Sequence, residues 1–442
     1  MQHQTLTAAF SRRALFRSSA MMGAGAAFSS LPFSAAWARE GSVTRWPGVA
    51  QFVNGFVGEG DVACMIATMG WGQQEADTIA VGQRSFGGSG GVDADTLFRI
   101  YSMTKPITGL ATVLCIEDGL LSLDQPLAEI LPAFSNMQVQ RQYDGPITAD
   151  NLEPAERQIT IRHLLTHTSG LGYSIVQQGP IADAYVEAGL VPGQVTRLPL
   201  PGAFRGEAVD SLELFADRLA TMPLVHQPGT RWSYSVSLDL LGRVIEVVSG
   251  KSFDTFLQDR ILGPCGMTST TFRVAEQDKG RLTANYFLLG DVPVPIDLPD
   301  SSIYLDEPAF PFGGAGLVSS SNDYDRFLRM LAGWGMIEGN RVVSEPAVRL
   351  ATSNLFPDTL AGDDGFSSGG RTFGFGAGGL VGLGTAEGLY GWFGAAGTAG
   401  LVNMKWGLRH NLMTQYMPST ELPVQNEFPL VVAADAANQM GA

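Results

Sequence analysis

The chain carries little charge for its length, and basic residues are the scarcer sign. Of 442 residues only 16% are charged, with 28 Lys and Arg against 43 Asp and Glu. The net charge of −15 argues against nucleic acid or an anionic membrane surface as the main partner. An apolar fraction of 45% excludes a disordered chain and is enough for one large domain or two packed ones.

Cysteine is also scarce. The three cysteines are Cys64, Cys115 and Cys265, and an odd number leaves at least one free thiol. None has a neighbouring histidine or basic cluster that would activate it, which argues against a cysteine nucleophile. We expect all three to be buried small apolar side chains, with a Cys64–Cys115 disulfide as the alternative.

Long hydrophobic runs are missing after residue 38, so we expect no membrane-spanning segment there. Before residue 38, Ser11–Phe16 resembles a twin-arginine export signal. It is followed by a modest apolar run, which Pro32 interrupts. Ala36–Ala38 offers a small-x-small cleavage site. We predict cleavage after Ala38 and a periplasmic or secreted protein that is not bound to a membrane; an uncleaved anchor is the alternative.

The pattern of apolar residues predicts an α/β (α+β) fold in which the strands follow one another in series. Such an order favours a mainly antiparallel sheet. We therefore predict a signal segment at 1–38, a sheet domain formed by 39–120 and 291–442, and an inserted helical lobe at 121–290. The predicted strands are 61–70, 78–85, 96–101, 373–384, 388–394, 398–406 and 409–416. The predicted helices are 104–118, 124–131, 160–166, 211–221, 236–249, 252–260, 322–333, 345–352 and 428–440.

A short polar motif stands where a predicted strand meets a predicted helix. Ser102 and Lys105 form a Ser-x-x-Lys pattern, and residues three apart lie on the same side of a helix. A helix N-terminus offers free N–H groups and a partial positive charge, which favour an oxyanion near Ser102. A desolvated amine one turn away can accept a serine proton. The pattern is short, so an N-cap serine followed by a solvated lysine is the alternative.

Four further motifs follow the Ser-x-x-Lys segment along the chain. Together the five motifs occupy 97–105, 161–171, 228–235, 313–324 and 392–397. In this order they resemble the serine β-lactamase and penicillin-binding superfamily, and most closely the class C β-lactamase-like esterases (family VIII carboxylesterases). The resemblance covers most of residues 50–420.

This resemblance implies a role for each matching position. Ser102 would be the nucleophile, Lys105 its partner and Tyr234 the second proton-transfer group. Whether Lys105 or Tyr234 takes the first proton is open. The oxyanion hole would consist of the backbone N–H groups of Ser102 and Ala395. The resemblance also implies a sheet flanked by N- and C-terminal helices, and a reaction that uses neither a metal nor an organic cofactor.

Two departures from the β-lactamase pattern favour neutral substrates. Val236 stands where those lactamases have Asn, and Trp392, Phe393 and Gly394 stand where they have Lys-Thr-Gly. An aromatic pair cannot neutralise a carboxylate, but it can pack against an acyl or alcohol group. We therefore expect a carboxylesterase or transesterase that forms an acyl-enzyme with small neutral esters. The substrate would lie near these four residues and Tyr101.

Two alternatives stay open. One is a β-lactamase, D-amino-acid peptidase or amide hydrolase, and the other is a slowly deacylating, β-lactam-binding or sensor-type protein. Because Ser102, Lys105 and Tyr234 are all present, a sensor-type protein that has lost its nucleophile is disfavoured. The expected partner is thus a small ester or amide, and the sequence leaves the oligomeric state open.

Other candidate residues have weaker support. Ser89 lies in a literal Gly-x-Ser-x-Gly pattern but lacks the strand and helix that such a nucleophile turn needs. His163 and His167 are four apart, yet no further ligand follows at zinc spacing, so we expect structural roles. We expect no catalytic role for the remaining candidates, which are His226, His410, the helix-start residues Asp323 and Asp325, and the loop residues Asp363 and Asp364.

Overall fold

The computed structural model describes residues 37–38, 41–191, 193–198, 206–360, 366–368 and 371–441. The predicted export signal up to residue 36 and the acidic pair Asp363 and Asp364 lie outside the described residues. Among the described residues, no helix is both long and apolar enough to cross a membrane.

The secondary structure alternates between short strands and helices of varied length. The strands are β1 Trp37–Ala38, β2 Cys64–Trp71, β3 Asp77–Gly82, β4 Leu97–Arg99, β5 Gln138–Gln140, β6 Leu152–Pro154, β7 Asn285–Leu289, β8 Val292–Asp297, β9 Val318–Ser320, β10 Met336–Ile337, β11 Asn340–Arg341, β12 Phe366–Ser368, β13 Arg371–Phe375, β14 Leu380–Gly382, β15 Leu389–Phe393, β16 Ala399–Asn403, β17 Leu408–Met413 and β18 Tyr416–Met417. The helices are α1 Ser42–Arg45, α2 Pro47–Gly58, α3 Thr104–Glu117, α4 Ile161–Leu165, α5 Gly179–Glu187, α6 Leu212–Leu219, α7 Ser237–Ser249, α8 Phe253–Leu257, α9 Gly263–Cys265, α10 Ser321–Ala332, α11 Glu345–Ala351 and α12 Val424–Gln439, with a π-helical turn at Gln258–Leu262 between α8 and α9.

Nine strands form one sheet in the order β1-β3-β2-β17-β16-β15-β14-β13-β12. Every neighbouring pair in it is antiparallel. The expected mainly antiparallel sheet is therefore confirmed. Strand β17 lies between β2 and β16, so it joins the early and late parts of the chain.

Helices cover both faces of the sheet. Successive side chains of a strand point to opposite faces, and in β2 they enter two different cores. Met65, Ala67 and Met69 pack with the terminal helices α2 and α12, which contact each other. Cys64 and Ile66 belong to a larger core that includes α3, α7 and α10. The expected N- and C-terminal flanking helices are thus confirmed, and α3, which carries Lys105, packs on the other face.

The structure corrects three of the predicted elements. The predicted strand 96–101 is only β4, which pairs with β9 outside the main sheet. The predicted helix 124–131 is reduced to the 3-10 turn Leu127–Glu129, because Pro126 has an extended backbone. The predicted strand 373–384 is interrupted between β13 and β14 by a turn, in which the Gly376 N–H donates to the Gly379 carbonyl.

Several elements were absent from the prediction. Among them are helices α2 and α5 and the hairpin of β7 and β8, whose second strand contains two prolines. The hairpin spans the predicted boundary between residues 290 and 291, and the division into a sheet domain and an inserted lobe stays a prediction. All three cysteines are buried free thiols, which confirms the expectation and leaves the alternative disulfide unformed. Burial raises the pKa of each thiol to about 12.

A buried ion pair fastens α10 to the sheet. The Arg409 side chain on β17 is fully buried, and its Nε donates to Asp325 Oδ1 over 2.8 Å. The same guanidinium donates to the carbonyls of Gly72 and Gln74. A buried guanidinium loses its hydration, so these acceptors must replace water. Asp325 is therefore a structural residue, as expected.

We predict that Asp325→Asn lowers the free energy of unfolding by about 3–5 kcal/mol, because it leaves a buried arginine without its counter-charge. Urea unfolding measures the change. The matched control is Glu345→Gln, which removes the charge of an exposed helical pair with Arg349 and should cost less than about 1 kcal/mol. Equal effects of the two substitutions would contradict the prediction.

Candidate active site

Ser102 lies on a tight turn between β4 and α3. The turn is the 3-10 segment Tyr101–Met103, and Ser102 is partly exposed. Tyr101 has a φ of 43°, a left-handed conformation that is unusual for a residue other than glycine. Its side chain is buried, and its hydroxyl accepts a hydrogen bond from Asn285 Nδ2 over 2.9 Å. The β7–β8 hairpin, which sequence reasoning missed, therefore holds the residue before Ser102.

A second contact with the same hairpin fixes the start of this turn. Arg99 is fully buried and forms an ion pair with Asp297 at the end of β8. Its Nη1 donates to the Thr283 carbonyl over 2.7 Å. The Ile100 N–H donates to the Leu317 carbonyl over 3.0 Å. The turn that presents Ser102 is thus held by groups distant in sequence.

Lys105 contacts Ser102 as the spacing predicts. The Lys105 side chain is fully buried, and its Nζ donates to Ser102 Oγ over 3.2 Å and to the Gly314 carbonyl over 2.7 Å. The alternative of a solvated lysine is therefore wrong. An amine at this distance can exchange a proton with the serine hydroxyl.

Tyr234 lies on the other side of the amine. Lys105 Nζ is 4.6 Å from the centre of the Tyr234 ring, which places a cation over an aromatic face. The Tyr234 hydroxyl accepts a hydrogen bond from Trp392 Nε1 over 3.2 Å. Trp392 therefore directs an N–H at the phenol from the position where the lactamase pattern has lysine. The rings of Trp232 and Phe375 stand 6.3 and 5.1 Å from those of Tyr234 and Trp392, respectively.

Ala395 lies in the turn that follows β15, next to the Ser102 segment. The Gly394 N–H donates to the Thr398 carbonyl over 2.8 Å. A Cβ on Gly394 would lie 2.1 Å from Thr398 Oγ1 and 2.5 Å from the Ile100 carbonyl oxygen, so the position requires glycine. Ala395 packs in a small apolar cluster that includes Tyr101. The two segments that would form the oxyanion hole are therefore adjacent, and the hole itself stays a prediction.

Val236 and Phe393 are two further residues of the predicted substrate site. Val236 is fully buried, and its N–H donates to the Gly172 carbonyl over 3.3 Å just before α7. Trp392 and Phe393 are neighbours on β15 and point to opposite faces of the sheet. Phe393 packs with the core beneath the terminal helices, whereas Trp392 contacts Tyr234. Substrate binding by Val236 and Phe393 stays a prediction.

Sequence reasoning missed Asp239 and expected only a structural role for His167, yet both interact with Lys105. Asp239 on α7 is 1% exposed, and burial raises the pKa of its carboxyl to about 6. His167 is fully buried; burial and the Lys105 charge hold the pKa of its imidazole well below the ordinary value, so the ring is neutral. Its Nδ1 lies 2.9 Å from Ser235 Oγ, and its ring centre is 4.7 Å from that of Tyr234. An acidic residue among the leucines of α7 was the one available signal for Asp239.

The other candidate residues lie in structural positions. Ser89 is exposed in a loop between β3 and β4. His163 caps α4 through a capping box with Thr160. Asp323 accepts hydrogen bonds from the Ser269 N–H and the Thr270 hydroxyl. Within the described ranges, no three His, Cys, Asp or Glu side chains are grouped as metal ligands would be.

His226 and His410 complete this set. The ring of His226 stacks on Tyr143 with centres 4.9 Å apart, and His410 is buried in β17 against Phe428. Burial lowers the pKa of each imidazole to about 4, so both rings are neutral near pH 7. Neither lies among the contacts described for Ser102.

Known proteins resemble this chain in sequence. The family model described as Beta-lactamase matches residues 49–433. Protein Rv1367c of Mycobacterium tuberculosis is 36% identical over 292 residues, which are 66% of this chain and 68% of that protein. Esterase EstB of Burkholderia gladioli is 32% identical over 256 residues, or 54% of this chain and 57% of the esterase. The chain thus spans little more than half the length of that esterase.

Solved structures resemble the fold over almost its whole length. EstCE1, described as a hydrolase with promiscuous acyltransferase activity, has a TM-score of 0.69 and 24% identity, covering 90% of this chain and 98% of its own. A LovD6 mutant of simvastatin synthase from Aspergillus terreus also has a TM-score of 0.69, with 22% identity and coverage of 91% and 97%. At these identities the likeness shows the fold alone.

We predict that Gly394→Ala lowers the free energy of unfolding by about 1–3 kcal/mol, because the added methyl group would overlap Thr398 and the Ile100 carbonyl. Urea unfolding measures it. The same change at Gly55, exposed within α2 with no atom within 4 Å of its Cβ position, should instead stabilise by about 0.5–1 kcal/mol. Gly394→Ala protein as stable as the parent would show that the turn can move freely.

Proposed function

This chain belongs to the Beta-lactamase family, and from that premise we propose that it is a serine hydrolase acting on small neutral carboxylic esters through an acyl-enzyme. The observation that carries the proposal is the contact between Lys105 Nζ and Ser102 Oγ, with Tyr234 over the same amine. An esterase and several acyltransferases are among the relatives of the chain, which supports acyl transfer as the type of reaction.

The proposed reaction begins with attack by Ser102. Its Oγ bonds to the ester carbonyl carbon, and its proton passes to Lys105 or Tyr234. The N–H groups of Ser102 and Ala395 stabilise the oxyanion of the tetrahedral intermediate. The bond to the alcohol oxygen then breaks, and the alcohol leaves with that proton. Water releases the acid from the acyl-enzyme, or a second alcohol accepts the acyl group.

Neutral substrates are favoured by the side chains around Tyr234. Trp392 supplies a neutral N–H donor to the phenol hydroxyl, where the lactamase pattern has a charged ammonium. Trp232 and Phe375 extend this apolar surface. An indole lacks the charge that would compensate a substrate carboxylate, whereas its face packs well against acyl or alkoxy groups. This supports neutral esters over β-lactams, which carry a carboxylate.

The experiment described below also tests two alternative activities. A β-lactamase would open a cephalosporin faster than it cleaves an ester. A slowly deacylating binder would release one equivalent of product and then stop. The buried Val236 supplies no polar group for a hydrolytic water, so transfer of the acyl group to an added alcohol is expected to compete with hydrolysis.

We predict that Ser102→Ala abolishes turnover of a short-chain p-nitrophenyl ester, because it removes the hydroxyl that Lys105 Nζ contacts and that would attack the ester. Stopped-flow release of p-nitrophenol, with a chromogenic cephalosporin and an added alcohol in parallel, measures burst, turnover and transfer. The matched control is Ser89→Ala, which removes the same group from an exposed loop and should retain full activity.

Each outcome of that experiment supports a different activity for the protein. Ester turnover that disappears only in the Ser102→Ala protein supports the proposal. Faster cephalosporin opening makes the lactamase the better description, and a burst without turnover indicates a binder. Ester activity that survives in the Ser102→Ala protein refutes the proposed nucleophile.

We also predict that Trp392→Phe lowers kcat/KM for the ester about 10- to 100-fold, because it keeps an aromatic ring but removes the N–H directed at Tyr234. Steady-state kinetics provide the measurement. Trp406→Phe is the matched control, since Trp406 is 60% exposed, and kcat/KM should not change. An unaltered kcat/KM for Trp392→Phe would mean that the hydrogen bond to the phenol plays no part in the reaction.

A further inference from the structure

Lys105 is fully buried, and its amine needs a compensating charge whenever it is protonated. Its surroundings include the Ser102 hydroxyl and the Gly314 carbonyl, and the rings of Tyr234 and Tyr173 lie 4.6 and 5.8 Å from Nζ. None of these groups is a carboxylate. Since an uncompensated charge is costly in a protein interior, a carboxylate is expected nearby.

Asp239 supplies that carboxylate through a bridge of one residue. Its Oδ1 accepts a hydrogen bond from the Gly314 N–H over 2.8 Å, while the Gly314 carbonyl accepts from Lys105 Nζ over 2.7 Å. Burial raises the pKa of the Asp239 carboxyl to about 6, and the positive charge of Lys105 opposes that rise. The carboxylate is therefore ionised at pH 7 and above.

The bridge is shaped by two glycines that lie between α3 and α7. A Cβ on Gly314 would lie 2.5 Å from Asp239 Oδ2, and a Cβ on Gly313 would lie 2.4 Å from the Leu238 carbonyl oxygen. From the α3 side, Thr108 Oγ1 donates to the Gly313 carbonyl over 2.7 Å. Only residues without a side chain fit here, so the bridge depends on both glycines.

We propose that Asp239 is the counter-charge of Lys105 and, through Gly314, the positioning residue that holds the Lys105 amine against Ser102. The inference rests on the proposed function, because it gives Asp239 a role in the Ser102 reaction. Asp239 acts on Lys105 of α3 and on Tyr173 of the segment after α4, and Tyr234 faces the same amine. His167, whose ring centre is 4.7 Å from that of Tyr234, faces Lys105 as well.

The proposal predicts a specific pH dependence of kcat/KM. In the parent protein, kcat/KM for the p-nitrophenyl ester should fall on the acid side with an apparent pKa near 6, as Asp239 becomes protonated and its charge is lost. Asp239→Asn keeps an oxygen acceptor for the Gly314 N–H but removes the charge. It should lower kcat/KM at pH 8 on the order of 10- to 100-fold through kcat, with KM little changed, because the amine is misplaced. The acid limb near pH 6 should disappear.

Asp435→Asn is the matched control. Asp435 is a buried carboxylate on α12 that accepts hydrogen bonds from the N–H groups of Gly48 and Val49, beneath the opposite face of the sheet. Its variant should keep the parent pH profile, whatever it costs in stability. Circular dichroism and thermal unfolding show whether each variant is folded. If the Asp239→Asn protein is unfolded, the parent profile alone decides, since a parent without a limb near pH 6 overturns the proposal.

The remaining outcomes separate the two proposals. A folded Asp239→Asn protein with the parent kcat/KM and acid limb overturns the role of Asp239 while ester turnover by Ser102 stands. Higher activity than the parent also overturns it, because the carboxylate would then restrain an amine that acts as a neutral base. Equal turnover by the parent and Ser102→Ala proteins overturns the proposed function, and the inference with it.

Discussion

The site is organised around the amine of one lysine that is fully buried. Lys105 donates to Ser102 and to Gly314 and lies against the ring of Tyr234. These contacts come from three parts of the chain, and each must be placed to within a few tenths of an ångström for the hydrogen bonds to form. The close packing of α3, α7 and the two glycines follows from that requirement.

Much of this arrangement could be predicted from the sequence, because part of it is local. Ser102 and Lys105 are one helical turn apart, so their contact follows from helix geometry alone. The long sheet strands and helices such as α7 and α10 have clear apolar patterns. The predicted 124–131 helix failed because Pro126 outweighs a favourable pattern of apolar residues.

The rest depends on contacts between segments far apart in the chain. Asp239 reaches Lys105 through Gly314, and no spacing rule relates these three positions. Tyr101 is held by Asn285, in a hairpin whose proline-rich strand does not have a typical strand composition. The sequence motif alone does not distinguish the roles of Trp392 and Phe393. The alternation of side chains along β15 places Trp392 beside Tyr234 and Phe393 beneath the terminal helices.

The position of β17 also constrains the order in which the protein can fold. β2 is hydrogen-bonded to β17 in register from Trp71 with Leu408 to Met413 with Ile66, a separation of more than 300 residues. During synthesis β2 therefore has β3 as a partner on one edge and an unpaired edge on the other until residue 413 has emerged. Such an edge can pair with other chains, and pairing so distant in sequence is slow. Shielding of this edge until β17 has emerged would prevent such pairing between chains.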